Sequence, residues 1–140
     1  MSGQAPMDTF LDLSCVLTGE NRLSPVLASE YYRRINEAFG VRLEALLNEF
    51  ASLQATEADV TTVVAKRIMP DDQLGLVARE IIMLWYLAGF RGPDSSGGQR
   101  EYGPETAEQY FQGLLWPAIH AHPLGLSGGY FGYWHYPPEN

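Results

Sequence analysis

The segment DDQLGLVAREIIMLWYLAGF, residues 71–90, predicts the helix around which the rest of the chain packs. Its apolar side chains recur at steps of three and four, the spacing of a helix face that lies against a core. Up to Glu80 the opposite face is polar, whereas beyond Glu80 apolar and aromatic residues occupy every side. The run is too short to span a bilayer, which takes roughly 20 apolar residues. We therefore expect the end of this helix to be covered either by the chain's own C-terminal tail or by another protein.

Length and charge limit the classes of function. The 140 residues predict a single domain, 1–140, with a formal net charge of -8. Nucleic-acid binding requires a basic surface that neutralises phosphates, and anionic membrane surfaces attract basic segments. The composition therefore argues against both kinds of partner, and the sequence predicts no direct membrane span.

Local signals before the central segment predict three helices. Gly19 is placed to end the first helix, and Ser24-Pro25 has the order of an N-cap followed by proline at the first helical position. Gly40 interrupts the next apolar pattern. One bent helix and two helices meeting at Gly40 are both consistent with that interruption, and we favour two helices.

A fourth helix is predicted between residue 56 and Pro70. Thr56 with Asp59 resembles a weak capping box for its start. The β-branched run VTTVV, residues 60–64, makes a strand the main alternative. Because no comparable partner strand lies nearby in the sequence, a helix is the preferred interpretation.

The remaining segments complete an all-α prediction of about five to six helices around one core. Residues 1–7 are expected to form a flexible N-terminus, and the Gly-rich stretch 91–103 is expected to be a loop. A last helix is predicted from Pro104 or Glu105 to Pro117. Residues 117–140, rich in Gly, Pro and aromatic residues, are expected to form an extended docking tail, because disordered tails are poor in aromatic residues.

The titratable residues do not assemble into a recognisable catalytic or metal-binding set. His120 and His122 are two residues apart and have no nearby carboxylate to complete a metal shell, so we interpret them and His135 as packing or surface residues. The single cysteine, Cys15, lies among apolar neighbours. We interpret it as a buried inert thiol, with a crosslink or a reactive thiol as the alternative.

Acidic pairs lie near the predicted helix starts, at Asp71-Asp72 and at Glu105 and Glu108, where they complement the helix dipole. The sequence therefore predicts no catalytic residue, no cofactor-binding residue and no metal ligand in this chain. A small hydrolase that uses His120 or His122 is a minor alternative.

Aromatic residues on irregular backbone are typical anchors of protein interfaces. We therefore predict a partner interface at the end of the central helix and in the tail. Its residues are Trp85, Tyr86, Phe90, Tyr130, Phe131, Tyr133, Trp134 and Tyr136.

Four motifs, in this order along the chain, carry a family resemblance: FLDLSCVLTG, AREIIMLWYLAG, REYGPETA and GYFGYWHYPP. Together they resemble the small subunit of membrane-associated, FAD-dependent sugar and alcohol dehydrogenase complexes of the sorbitol, glucose and fructose type. The family usually has a glycine one residue before Gly89, where this chain has Ala88.

The resemblance implies an all-helical accessory subunit that binds and stabilises a large flavoprotein of the glucose-methanol-choline family and escorts it through twin-arginine export. FAD and the catalytic histidine would belong to that partner, and a cytochrome subunit often completes such complexes. The expected location is the periplasm, if a leader was removed or the partner supplies it, with the cytoplasm as the alternative. A stand-alone helical binding protein or chaperone for another secreted enzyme is the alternative function.

Overall fold

The computed structural model describes residues 5–118, and this part of the chain is mostly helical, as predicted. The tail beyond residue 118 lies outside the described residues. The elements in chain order are α1 Pro6–Thr18, α2 Pro25–Phe39, α3 Val41–Thr56, α4 Val60–Val63, a π-helical segment Val64–Ile68, α5 Leu74–Leu87, β1 Phe90–Pro93, β2 Gln99–Tyr102, α6 Ala107–Phe111 and α7 Leu115–Ala118.

Helix α5 lies at the centre of the domain and packs against α1, α2 and α3. Its inner face is buried along its whole length, so the central role predicted for this segment is confirmed. The core side chains with no exposed surface include Phe10, Leu13, Tyr31, Ile35, Leu46, Phe50, Ile68, Val77, Ile81 and Leu84.

The predicted boundaries of the first three helices are confirmed. Gly19 ends α1 in the left-handed conformation, with φ of 76°. The Ser24 hydroxyl accepts a hydrogen bond from the Leu27 N–H at 3.2 Å, which caps α2. Gly40 separates α2 from α3 with φ of 53° and ψ of -119°, a conformation that disfavours any residue with a Cβ. Two helices therefore meet at this glycine.

The fourth helical element is confirmed, but its cap differs from the prediction. Thr56 is the last residue of α3, and Asp59 alone caps α4 by accepting a hydrogen bond from the Thr62 N–H at 3.3 Å. The helix continues as the π-helical segment, so the alternative of a strand at residues 60–64 is wrong. Asp71 precedes Gln73, the N-cap of α5, by two residues, and its carboxylate accepts hydrogen bonds from the N–H groups of Gln73 and Leu74 at the start of the helix.

The expected loop at 91–103 is in part an antiparallel hairpin, and this corrects the prediction. Strands β1 and β2 pair Phe90 with Tyr102 and Pro93 with Gln99. The two rings of the first pair stack with centroids 4.7 Å apart. Phe90 therefore belongs to a strand and not to the end of α5, which stops at Leu87.

The terminal boundaries also differ from the expected ones. Helix α1 already includes Pro6, so the N-terminal segment before it is shorter than 1–7. The predicted last helix is two short helices, because Thr106 and not Pro104 caps α6 and the chain turns at Gly113 before α7 begins. Pro117 lies inside α7 rather than ending a helix.

Candidate functional site

The structure separates the predicted interface residues by their exposure. Trp85 and Phe90 are buried among the chain's own residues, and Tyr86 is half-buried. Trp85 contacts Tyr31 edge-on with ring centroids 4.9 Å apart. In the described domain, Trp85 and Phe90 are therefore covered by the chain's own residues. The other five predicted residues lie outside the described residues: Tyr130, Phe131, Tyr133, Trp134 and Tyr136.

The exposed face of α5 carries a row of large apolar side chains. Leu76, Met83 and Leu87 are 37%, 43% and 42% exposed. Glu80 lies between them on the same face, and it is half-buried. We call these four residues the α5 stripe. Their spacing of four, three and four residues is that of the seam of a coiled coil, which suits packing against another helix.

A groove of about 630 Å³ lies between the end of this stripe and the hairpin. Its walls are Glu80, Met83 and Leu87 on α5, and Arg91 and Glu101 among the hairpin residues. The Glu80 carboxylate accepts a hydrogen bond from the Arg91 N–H at 2.8 Å, and the Arg91 guanidinium pairs with Glu101 at 2.9 Å. The charged side chains of the groove therefore sum to one excess negative charge.

A buried arginine holds the groove's walls in place. The Arg34 guanidinium, 3% exposed, donates hydrogen bonds to the carbonyl oxygens of Ala88 at 3.0 Å and Gly103 at 2.6 Å. It also donates to the Gln109 side chain at 2.9 Å and lies 3.7 Å from the Glu105 carboxylate. A single side chain on α2 thereby joins the end of α5, the segment after the hairpin, and α6.

The sequence interpretation did not single out Arg34. The signal was present, since Arg34 falls on the same face of α2 as Leu27 and Tyr31, at helical spacing. A cation on an otherwise apolar face indicates a buried partner set. Burial lowers the pKa of the Arg34 guanidinium, whereas Glu105 raises it.

Tyr31 is a second buried polar residue in this region. It has no exposed surface, and its hydroxyl has no hydrogen-bond partner among residues 5–118. Burial raises the pKa of the Tyr31 hydroxyl to about 12, with Arg34 lowering it and Glu30 raising it. The fold therefore favours the neutral phenol.

We expect Tyr31→Phe to leave the free energy of unfolding at neutral pH unchanged or to raise it by up to about 1 kcal/mol, because it removes an unpaired buried hydroxyl. The free energy of unfolding of the wild-type protein should fall as pH rises from 10.0 towards about 12. The Tyr31 hydroxyl ionises near 10.0 in the unfolded chain and near 12 in the folded chain. Tyr31→Phe should remove this part of the alkaline loss. Urea unfolding across that pH range measures the loss, with Tyr32→Phe as control. The same fall in the free energy of unfolding for wild type and Tyr31→Phe would contradict a raised pKa of Tyr31.

Residues 5–118 include no group of three His, Cys, Asp or Glu side chains placed to hold a metal ion. Cys15 is half-buried, and burial, followed by the nearby carboxylates of Asp12 and Glu20, raises the pKa of its thiol. The thiol is therefore a weak nucleophile at neutral pH. His120, His122 and His135 lie outside the described residues.

A family model described as membrane-bound FAD-containing D-sorbitol dehydrogenase matches residues 2–101. The chain belongs to this family. The match covers the helical core, the whole α5 stripe and most of the hairpin, and it confirms the resemblance drawn from the sequence motifs. No curated protein and no solved structure matches the chain.

Membership of the sorbitol dehydrogenase family identifies the chain as a subunit of an FAD-containing dehydrogenase complex. The family is described as membrane-bound. Within residues 5–118, no helix has the length and apolar character needed to cross a bilayer.

Proposed function

We propose that this chain is a non-catalytic accessory subunit that binds and stabilises a large FAD-dependent sugar or alcohol dehydrogenase of the glucose-methanol-choline type. FAD and the catalytic residues belong to that partner, and the two chains are exported together to the periplasm, where a cytochrome subunit completes the complex. The observation that carries the proposal is the exposed apolar α5 stripe in a member of this family.

The physical argument is that the stripe needs a cover. Isolated exposed apolar residues are ordinary, but three large apolar side chains aligned on one helix face are typical of an interaction surface. Covering this row in a complex would stabilise the complex by about 25 cal/mol for each Å² of apolar surface removed from water. A chain with this surface is therefore expected to work in association with another protein.

The groove beside the stripe is a poor site for FAD itself. Its two carboxylates, Glu80 and Glu101, outnumber the single cation, Arg91, and a diphosphate would be repelled by that excess of negative charge. The segment after the hairpin, Gly103-Pro104, leads from a strand towards a helix, but it lacks the Gly-rich sequence of the turns that cradle dinucleotide phosphates. These features favour a flavin held by the partner.

In this proposal the predicted interface residues have two roles. Trp85 and Phe90 stabilise the interface indirectly, since they are buried in the core under the exposed face of α5 and the hairpin. Tyr86 and the aromatic residues of the tail contact the partner directly. The tail residues are Tyr130, Phe131, Tyr133, Trp134 and Tyr136.

The test is co-expression with the FAD-containing dehydrogenase large chain of the same organism. We expect the wild-type chain to co-purify with a flavin-absorbing protein. Tyr133→Ala combined with Trp134→Ala should weaken the complex at least about 30-fold, because even one aromatic anchor contributes about 2 kcal/mol. Yield of flavin absorbance per accessory chain measures the loss.

The matched control is a second double alanine variant of the same segment, His120→Ala with His122→Ala. It should retain the complex, and circular dichroism should show equal helical content for both variants. Absence of any flavoprotein with the wild-type chain would contradict the accessory role and favour the stand-alone binding protein. Equal complex yield from the aromatic variant would remove the tail from the interface.

A further inference from the structure

The α5 stripe, made of Leu76, Glu80, Met83 and Leu87, has one charged side chain among three exposed apolar ones. We propose that it is the docking site for an amphipathic helix of the flavoprotein subunit, and that this helix places a lysine or arginine against Glu80. The inference rests on the proposed function and names the surface and the chemistry of the partner segment.

The shape of the stripe selects a helix. From Leu76 to Leu87 it extends about 16 Å along the α5 axis, or about three helical turns. The four residues fall at alternating seam positions of a heptad, so side chains of an opposing helix can fit between them. The groove of about 630 Å³ continues from Met83 and Leu87 to the hairpin and gives the same helix a second wall.

The charge of Glu80 selects the partner's chemistry. One carboxylate oxygen of Glu80 accepts the Arg91 N–H at 2.8 Å, and the other has no hydrogen-bond partner within residues 5–118. Covering the stripe would bury this carboxylate, and a buried carboxylate needs a cation or several donors beside it. The Arg91 guanidinium pairs with Glu101 at 2.9 Å, so its positive charge could at most be shared between the two carboxylates. The further positive charge that favours a covered Glu80 would come from the covering segment.

This requirement argues against the chain's own tail as the cover. Residues 119–140 contain no lysine and no arginine, and they add one further carboxylate, Glu139. The tail can supply apolar and aromatic surface and the titratable donors His120, His122 and His135, but it cannot supply a permanent positive charge. A cover from the tail would leave the Glu80 carboxylate buried without a cation.

The same requirement argues against a second copy of this chain. In an antiparallel two-fold pairing of the stripes, the two Glu80 residues would be displaced by only about 4.5 Å along the helix axis. In a parallel pairing they would face each other directly. Either arrangement brings like charges together in the seam, where they disfavour association.

The experiment places a photo-crosslinking amino acid at position 83 in the complete complex with the FAD-containing large chain. We expect crosslinks to a helical segment of that chain that is apolar on one face and carries lysine or arginine. Crosslinks to residues 119–140, to a second copy, or to a segment without a basic residue would overturn the inference. So would the absence of a crosslink to the large chain.

Binding measurements provide an independent readout. Met83→Glu with Leu87→Glu should weaken binding of the purified large chain about 100-fold, since two anchor residues become charged. The matched control is Val26→Glu with Val41→Glu, which alters the exposed apolar residues of α2 and α3 and should change affinity less than threefold, about the effect of a surface contact. Equal losses in both variants would overturn the assignment.

Glu80→Gln tests the charge alone, because the amide oxygen can still accept the Arg91 N–H. We expect about tenfold weaker binding and a smaller dependence on salt concentration. Unchanged affinity and salt dependence would overturn the basic-residue part of the inference. Failure of the wild-type chain to bind the large chain would overturn the proposed function, whereas wild-type binding that tolerates the stripe variants would overturn only this inference.

Discussion

Arg34→Ala is expected to lower the free energy of unfolding by about 3–5 kcal/mol, because it breaks a buried charged network and leaves its acceptors unpaired. The guanidinium is the donor for the carbonyl oxygens of Ala88 and Gly103 and for the Gln109 side chain. Ala88 and Gln109 are buried, so these two acceptors would lose their donor without gaining contact with solvent. Equilibrium urea unfolding, followed by far-ultraviolet circular dichroism, measures the loss.

The neighbouring Arg33→Ala provides the matched control. Arg33 is also on α2 and pairs with Glu37 and Glu105, but its side chain is 48% exposed. Exposed pairs of this kind contribute about 0–1 kcal/mol. Arg34→Lys should fall between the two alanine variants, since one ammonium group cannot reproduce a planar guanidinium that reaches several acceptors. A loss for Arg34→Ala as small as the one expected for Arg33→Ala would mean that the network does not stabilise the domain.

Local signals were enough to predict the first half of the fold. Gly19, Ser24 and Gly40 act through their own backbone or side chain, and each marks the helix boundary that the sequence predicted. The apolar spacing of residues 71–90 also predicted the central helix and its buried face. These features depend on residues that are close together along the chain, so they can be predicted from a single sequence.

The hairpin could not be predicted in this way, because its stability depends on distant residues. Neither FRGP nor QREY contains a β-branched residue, and each has one aromatic strand former beside residues that are depleted in strands, so local strand propensity is weak. The strands instead rely on stacking of Phe90 on Tyr102 and on Arg34, which is far away in the sequence. Tertiary contacts here override local preference.

The end of α5 was misplaced for a related reason. Ala88 ends the helix in the left-handed conformation with φ of 59°, and it is the one non-glycine residue with positive φ within residues 5–118. Alanine gives no turn signal and adopts this conformation at a cost of roughly 1–2 kcal/mol. The hydrogen bond from Arg34 to the Ala88 carbonyl helps to hold it.

Part of the candidate site could be predicted from the sequence, and part could not. Periodicity showed that the second half of α5 is apolar on every side, and this predicted that something must cover it. It could not show which residues the chain covers itself. Trp85 is buried by contacts with other helices, whereas Met83 and Leu87 remain exposed. Exposure is a property of the assembled domain, and only the structure separates the two sets.

The second large effect on stability is expected at Gly75, whose close packing could not be predicted from the sequence. Gly75 lies in the first turn of α5, where the π-helical segment passes close by. Helix propensity alone predicts that Gly75→Ala should stabilise the domain by up to about 1 kcal/mol. A Cβ at this position, however, would lie 2.3 Å from the Met69 carbonyl oxygen and 3.1 Å from that of Ile68. Both obstacles are backbone atoms.

We expect Gly75→Ala to lower the free energy of unfolding by about 2–3 kcal/mol, since relief of the clash requires α5 to move away from the π-helical segment. The Met69 carbonyl is also held by a hydrogen bond from Arg79 at 3.1 Å, which resists that movement. Gly98→Ala is the control, because the nearest atom to its Cβ would be 3.7 Å away. Urea unfolding of the two variants decides between the effects: stabilisation by Gly75→Ala would mean that propensity dominates, whereas a loss confined to Gly75→Ala would mean that close packing of the two backbones determines where α5 begins.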